Sequence, residues 1–155
     1  MSELPSVYAL PHRDRRARWI VILAAAGVLL WMSLEDTNVL PVVLVALGAA
    51  LLIAYMTVTG RCGGQDVSRS TLLIGAALIG AGVGAGTALT AALLMIWKTG
   101  MHAHPFPDYP AGLILDLLGR APVWAVAGTL AALAGALIVP AQKNSTTENT
   151  ESTEK

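Results

Sequence analysis

LLIGAALIGAGVGAGTALTAALLMIW, residues 72–97, is an uncharged apolar run of 26 residues. A helix needs about 20 such residues to cross a bilayer core about 30 Å thick. In water the central glycines would weaken a helix, since each costs about 1 kcal/mol relative to alanine. In lipid the backbone must satisfy its own hydrogen bonds, which favours a helix despite the glycines. The run therefore predicts a membrane-spanning helix, and the chain an integral membrane protein.

The composition of the 155-residue chain agrees with this interpretation. Hydrophobic residues make up 55% of the chain and charged residues 13%, and the mean hydropathy is +0.63. A formal net charge of zero gives no electrostatic basis for binding nucleic acid. The single cysteine, Cys62, can form no internal disulfide, and no cysteine–histidine spacing is typical of a zinc site. We expect the lipid bilayer as a partner, and neither nucleic acid nor a cofactor.

Further apolar runs predict an all-α, polytopic bundle of four transmembrane helices in a membrane domain covering residues 19–139. The expected spans are residues 19–34, 39–58, 71–97 and 122–139. Residues 35–38 form a short turn between the first two spans, which predicts an antiparallel hairpin. Asn38 or Thr37 can cap the second span, and Ser68 or Ser70 the third. The basic segment 1–18 precedes the bundle, and the polar tail 140–155 is expected to be disordered.

Lysine and arginine residues are distributed unequally between the two sides of this four-span arrangement. One side receives eight of them: Arg13, Arg15, Arg16, Arg18, Arg61, Arg69, Lys143 and Lys155. The other side receives Lys98 and Arg120. Because positive residues are retained on the cytoplasmic side, both termini are predicted to be cytoplasmic, in a multi-pass protein of the plasma membrane.

Small residues recur along the third predicted span at a spacing suited to close helix packing. Every fourth residue is small at Ala76, Gly80, Gly84 and Ala88, and Gly82 with Gly86 forms a second pair. Such positions let another helix approach closely. A four-residue step advances about 400°, so the stripe drifts by about 40° per step and suits two partners or one strongly crossed partner. The small residues of span 4 make it the natural intramolecular partner, and a second subunit is the alternative.

The connection at residues 98–121 is the unusual polar stretch of the chain. His102, His104 and Asp108 would share a face of an extended segment stiffened by prolines. Two imidazoles and a carboxylate could bind a metal ion such as zinc, although one short loop offers little support for its ligands. In the alternative interpretation the histidines lie at the lipid headgroups. Haem or pigment ligation is not expected, because His102 lies outside the apolar core.

Residues 111–119 are too few to span a membrane and predict a short interfacial helix on the outer surface. Asp108 is the candidate N-cap and Pro110 fits the first turn. Asp116 either faces water or pairs with Arg120 four residues later. No serine, threonine or cysteine follows Thr99 in the connection, so an enzyme using His102, His104 and Asp116 lacks a nucleophile and is not expected.

Two functional hypotheses remain. The four predicted spans contain no ionisable acid, base or histidine, which argues against a proton pump or an ion-coupled transporter built from this chain alone. A structural or accessory subunit that packs through the third span, by self-association or in a larger membrane complex, agrees with this absence. A small permeation or metal- or solute-binding protein using the outer loop is the alternative. A water-filled cavity reaching Thr87 and Thr90 would favour the alternative.

Overall fold

The computed structural model of the chain describes residues 7–10, 16–32, 38–101 and 107–139. These residues form mainly helix, with two three-residue strands. In chain order the elements are β1 (Val7–Ala9), α1 (Arg16–Met32), α2 (Val39–Arg61), β2 (Asp66–Ser68), α3 (Arg69–Met101), α4 (Ala111–Gly119) and α5 (Ala121–Ile138).

Three of these helices, α2, α3 and α5, are long and apolar enough to cross a membrane. The helical fold and the membrane character predicted from the sequence are confirmed at this level. The apolar part of α1, Trp19–Met32, is shorter than a typical span. At about 1.5 Å per residue it extends about 21 Å, against a hydrocarbon core of about 30 Å.

The central helix is α3, which contacts α2, α4, α5 and both strands. Its 33 residues give it a length of about 50 Å, well beyond the thickness of a bilayer core. It continues to Met101, past the predicted end at Trp97. Lys98 therefore belongs to a helix and not to the connection where the sequence analysis placed it, because no residue that breaks a helix follows Trp97 directly.

The contact between α3 and α5 brings two backbones together at glycine residues. A Cβ atom added to Gly80 would collide with the carbonyl oxygen of Gly128, and one added to Gly84 would collide with that of Trp124. The approach is possible only because these glycines carry no side chain. The structure thus places one set of small residues of α3 in an intramolecular contact.

A hydroxyl group adds a polar contact between the same two helices. Thr129 of α5 donates a hydrogen bond to the carbonyl oxygen of Ala125, one turn earlier in its own helix, at 2.9 Å. The same oxygen lies 3.4 Å from the carbonyl oxygen of Ala77 in α3. Such hydrogen bonds between helices help hold membrane bundles together. Lipid tails can replace the apolar contacts between helices, but they cannot form hydrogen bonds.

The second pair of small residues in α3, Gly82 and Gly86, lies on a face of the helix that is not in contact with α5. Cβ atoms added to Gly82 or Gly86 would have no neighbour within 4 Å. Further along the helix, Ala88, Ala91 and Ala92 are buried, and the buried cluster there includes Val42 and Ala46 of α2. The helix therefore meets the backbone of α5 in its first half and shares a buried cluster with α2 in its second half.

The sequence did not predict the small antiparallel ribbon that β1 and β2 form. Val7 pairs with Ser68, and Ala9 pairs with Asp66. Leu10 extends the ribbon, because its carbonyl oxygen accepts a hydrogen bond of 3.0 Å from the amide of Gly64. Gly64 has φ 77°, a left-handed conformation that glycine adopts without strain. The ribbon places the segment before α1 at the end of the bundle where α2 leads into α3.

Polar side chains define the beginnings of two helices as predicted. Asn38 caps α2 by accepting a hydrogen bond from the amide of Leu40 at 3.0 Å, and Ser68 accepts one from the amide of Thr71 at 3.3 Å. The predicted cap of α4 by Asp108 is wrong, because Pro110 occupies the N-cap position and provides no side-chain hydrogen bond. Proline positions this backbone through its fixed φ angle instead.

The two glycine pairs of α3 should respond differently to the same substitution. Gly84→Ala should lower the free energy of unfolding by about 1–3 kcal/mol, because its methyl group would overlap the backbone of α5. Gly86→Ala is the matched control and should leave stability unchanged or slightly raised, since alanine is the better helix former. Thermal unfolding in mild detergent measures both variants. Equal melting temperatures of the two variants would show that the α3–α5 backbone contact does not contribute to the stability of the fold.

Candidate functional site

Large buried side chains gather at the end of the bundle opposite the β1–β2 ribbon. They come from the end of α1, the beginning of α2, the end of α3, the segment before α4, and α4 itself. The principal members are Trp31, Met32, Val42, Met95, Tyr109 and Leu117. This region, called the tryptophan–lysine end below, is where polar and charged groups are buried together with apolar ones.

Lys98 is the charged residue at its centre. Its side chain is 1% exposed, and its ammonium nitrogen lies 4.5 Å from the centre of the Trp31 ring. An ammonium group over the face of an indole is attracted by the ring electrons, with a free energy of about 0.5–2 kcal/mol. This cation–π contact joins the last turn of α3 to the end of α1.

Tyr109 closes the same region from the segment that precedes α4. It is 2% exposed, and its hydroxyl donates a long hydrogen bond of 3.5 Å to the carbonyl oxygen of Asn38. Leu117, on the buried face of α4, belongs to the same cluster. The contacts of Tyr109 and Leu117 attach residues 107–119 to the beginning of α2 and the end of α3.

The buried polar atoms of this region include Trp31 Nε1 and Thr99 Oγ1, which have no hydrogen-bond partner among the described residues. Neither is a strong nucleophile or base. Within the same described ranges, no three histidine, cysteine, aspartate or glutamate side chains come close enough to hold a metal ion. The arrangement of these residues suits a structural junction between helices.

Of the four residues proposed for an outer-loop site, two belong to the described part of the chain. His102 and His104 lie outside the described residues. Asp108 is half-buried beside Tyr109, and Asp116 is exposed on α4. The orientation of Asp116 towards the exterior is one of the two alternatives that the sequence left open.

Sequence reasoning missed Lys98 and Trp31 as partners. It placed Lys98 in the connection that follows the third predicted span. The signal that would have revealed Lys98 as a packed residue is a helical periodicity. Buried residues follow one another at intervals of three or four positions: Thr87, Ala91, Leu94 and Lys98. Extending the third span by one turn would have placed Lys98 on this packed face.

The other half of the bundle contains open apolar grooves. Three of them, with volumes of about 410, 540 and 410 Å³, lie beside Val58 of α2 and Ile79 of α3. The first groove reaches Thr90, but its walls are mostly aliphatic. The buried hydroxyl of Thr87 donates to the carbonyl oxygen of Val83 in its own helix at 2.7 Å. These grooves offer apolar surface, and permeation stays a prediction of the sequence alone.

Comparisons of the chain with protein-family models, with curated proteins and with solved structures found no match.

A double-mutant cycle measures the contact between Lys98 and Trp31. The effects of Lys98→Met and Trp31→Leu on the free energy of unfolding should be non-additive by about 1 kcal/mol, because either substitution removes the same cation–π contact. Denaturation of the two single variants and the double variant in mild detergent yields the coupling energy.

The neighbouring Trp97 provides the control for this cycle. It is 56% exposed and lies beside Lys98 in the chain. Lys98→Met combined with Trp97→Leu should give additive effects. Coupling of the same size in both cycles would contradict a specific contact with Trp31.

Proposed function

We propose that this chain is a structural or accessory subunit of a membrane assembly, without catalytic activity of its own. It would cross the plasma membrane four times, with α1 as the first crossing, α4 lying at the outer surface, and both termini in the cytoplasm. In this proposal α3 holds the subunit together, and α1 supplies the main surface for a neighbouring membrane segment, from a second copy or another protein.

The buried interior supports a structural role. The buried polar or charged side chains of the described residues are Thr59, Thr87 and Lys98. Both threonines donate to carbonyl oxygens in their own helices. Lys98 lies against Trp31. Ionisable groups within spans mark ion and proton pathways in many membrane proteins, and this interior offers no series of them.

The exposure of α1 is the observation that carries the proposal. Trp31 and Met32 at its end are buried, and Val28 is partly buried against the same cluster. Nearly all of the preceding apolar side chains are exposed, including Ile20, Leu23 and Leu30. Helices in lipid associate by van der Waals packing and by close approach of small residues. Ala24, Ala25, Ala26 and Gly27 give α1 such a small-residue surface, which the described part of the chain leaves exposed.

The positions of its two ends favour α1 as a membrane crossing. The β1–β2 ribbon places the segment before α1 beside the α2–α3 turn, and Trp31 places its other end over Lys98 at the opposite end of the bundle. A short apolar helix can span by local thinning of the bilayer or by using its flanking residues. The four arginines around the beginning of α1 agree with a cytoplasmic N-terminus.

Labelling with a membrane-impermeant maleimide tests this topology. In a Cys62→Ser background, Ser2→Cys and Ser152→Cys should react from the same side of the membrane, because four crossings return the chain to its starting side. Asp116→Cys should react from the opposite side. Reaction of the two terminal positions from opposite sides would show that α1 does not cross and would leave a three-span protein.

Site-specific photocrosslinking in native membranes tests the proposed role of α1. A photoreactive amino acid at Leu23, which is 69% exposed on α1, should give a discrete crosslinked protein product. The same amino acid at Leu130, which is 62% exposed on α5, is the matched control for random collisions in the bilayer. A second copy of the chain with a different tag distinguishes self-association from a contact with another subunit. Equal yields at the two positions, or products with lipid alone, would overturn the proposal.

A further inference from the structure

One of the three open grooves has a charged residue at its end. This groove, called the α2–α3 groove below, has a volume of about 410 Å³ and lies between α2 and α3 in the half of the bundle nearer the ribbon. Its lining includes Ala50, Ile53, Thr57, Gly82, Gly86 and, at one end, Arg61. Gly82 and Gly86 leave space there, since neither has a neighbour within 4 Å of an added Cβ atom.

The length of the α2–α3 groove matches one leaflet of a bilayer. Along α2 it extends from Ala50, the middle residue of the helix, to Arg61, its last residue. Eleven residues of helix cover about 16–17 Å, roughly half of the 30 Å hydrocarbon core. A bilayer centred on the middle of α2 would place the apolar part of the groove within one leaflet and Arg61 at the level of the lipid headgroups.

The chemistry of the lining suits an acyl chain with an anionic headgroup. The walls are mostly aliphatic, and the hydroxyl of Thr57 is already used in a 2.8 Å hydrogen bond to the carbonyl oxygen of Ile53. At the end of the groove the exposed guanidinium of Arg61 can bind a phosphate by two parallel hydrogen bonds. Juxtamembrane cations of this kind attract anionic lipids.

We propose that the α2–α3 groove binds one anionic glycerophospholipid, with an acyl chain against Gly82 and Gly86 and the headgroup phosphate at Arg61. The inference goes beyond the proposed subunit role and rests only on the membrane character of the chain. A bound lipid fills the space that the glycines leave, because an empty gap would forfeit the van der Waals contacts of the atoms that line it.

The shape of the groove favours a lipid over a partner helix. A helix with its side chains is about 10–12 Å wide and would contact α2 and α3 across the whole bilayer. Beyond the midplane the two helices close on each other, since Val42, Ala46 and Ala91 are buried in one cluster. A groove that ends at the midplane accommodates a chain as long as one leaflet is thick, which is the length of an acyl tail.

Native mass spectrometry of the intact protein tests this proposal. The protein is reconstituted in nanodiscs containing phosphatidylcholine with a minor fraction of phosphatidylglycerol, and released with its retained lipids. The wild type should retain one phosphatidylglycerol in preference to phosphatidylcholine. Arg61→Gln should reduce this preference about fivefold, as expected for the loss of one cation that contacts an anionic lipid. Arg69→Gln, which removes an exposed cation at the same end of the bundle but outside the groove, should reduce it little.

A second pair of variants separates the groove from the charge. Gly86→Leu places a side chain in the groove and should abolish retention of the tightly held lipid of either kind. Gly48→Leu is the matched control, because Gly48 also has an open neighbourhood but does not line the groove. Equal effects of Arg61→Gln and Arg69→Gln, or unchanged retention in Gly86→Leu, would overturn the proposal. Replacement of the lipid by a protein segment in the released complex would identify the groove as a helix-docking surface and would equally overturn it.

Discussion

Two helices in lipid can approach backbone to backbone only where neither carries a side chain at the point of contact. The α3–α5 crossing meets this condition at Gly80, Gly84 and Gly128. Lipid tails are as apolar as leucine side chains. The hydrophobic effect, which drives the burial of apolar residues in soluble proteins, therefore contributes little to this association. The close approach and the hydroxyl of Thr129 directed at α3 supply van der Waals and polar contacts that lipid cannot replace. The position of α5 depends on them.

The arrangement of the remaining helices follows from that crossing. While α5 covers one face of α3 in its first half, α2 contributes Val42 and Ala46 to the buried cluster further along, where Ala91 and Ala92 of α3 are buried. The bundle is consequently packed at the tryptophan–lysine end and grooved near the ribbon. Gly82 and Gly86 lie at the transition, on a face of α3 that α5 does not reach. A single distribution of small residues along one helix thus determines both the tight contact and the open surface.

The sequence was sufficient for features that depend on local chemistry. Apolar runs identified the membrane character, and Asn38 and Ser68 marked helix starts, because a side-chain oxygen beside free amides acts within a few residues. Features that depend on distant partners were missed. The pairing of β1 with β2 joins segments almost sixty residues apart, and three-residue strands carry too little periodicity to be recognised. The small-residue stripe of α3 indicated close packing, but only the structure separates the pair that meets α5 from the pair that does not.

The two cations at opposite ends of the bundle show why position decides the role of a charge. Burying an ammonium group costs several kcal/mol unless other groups compensate it, and Lys98 lies under the Trp31 ring, where cation–π attraction offsets part of that cost. Its burial makes it a fixed connection between α1 and α3. Arg61 is exposed at the end of α2, beside a groove that the described residues leave open. A cation in that position keeps its hydrogen-bond donors available, and a guanidinium group orients them for a phosphate. The buried cation therefore forms a contact within the fold, while the exposed one is suited to a ligand from the surrounding leaflet.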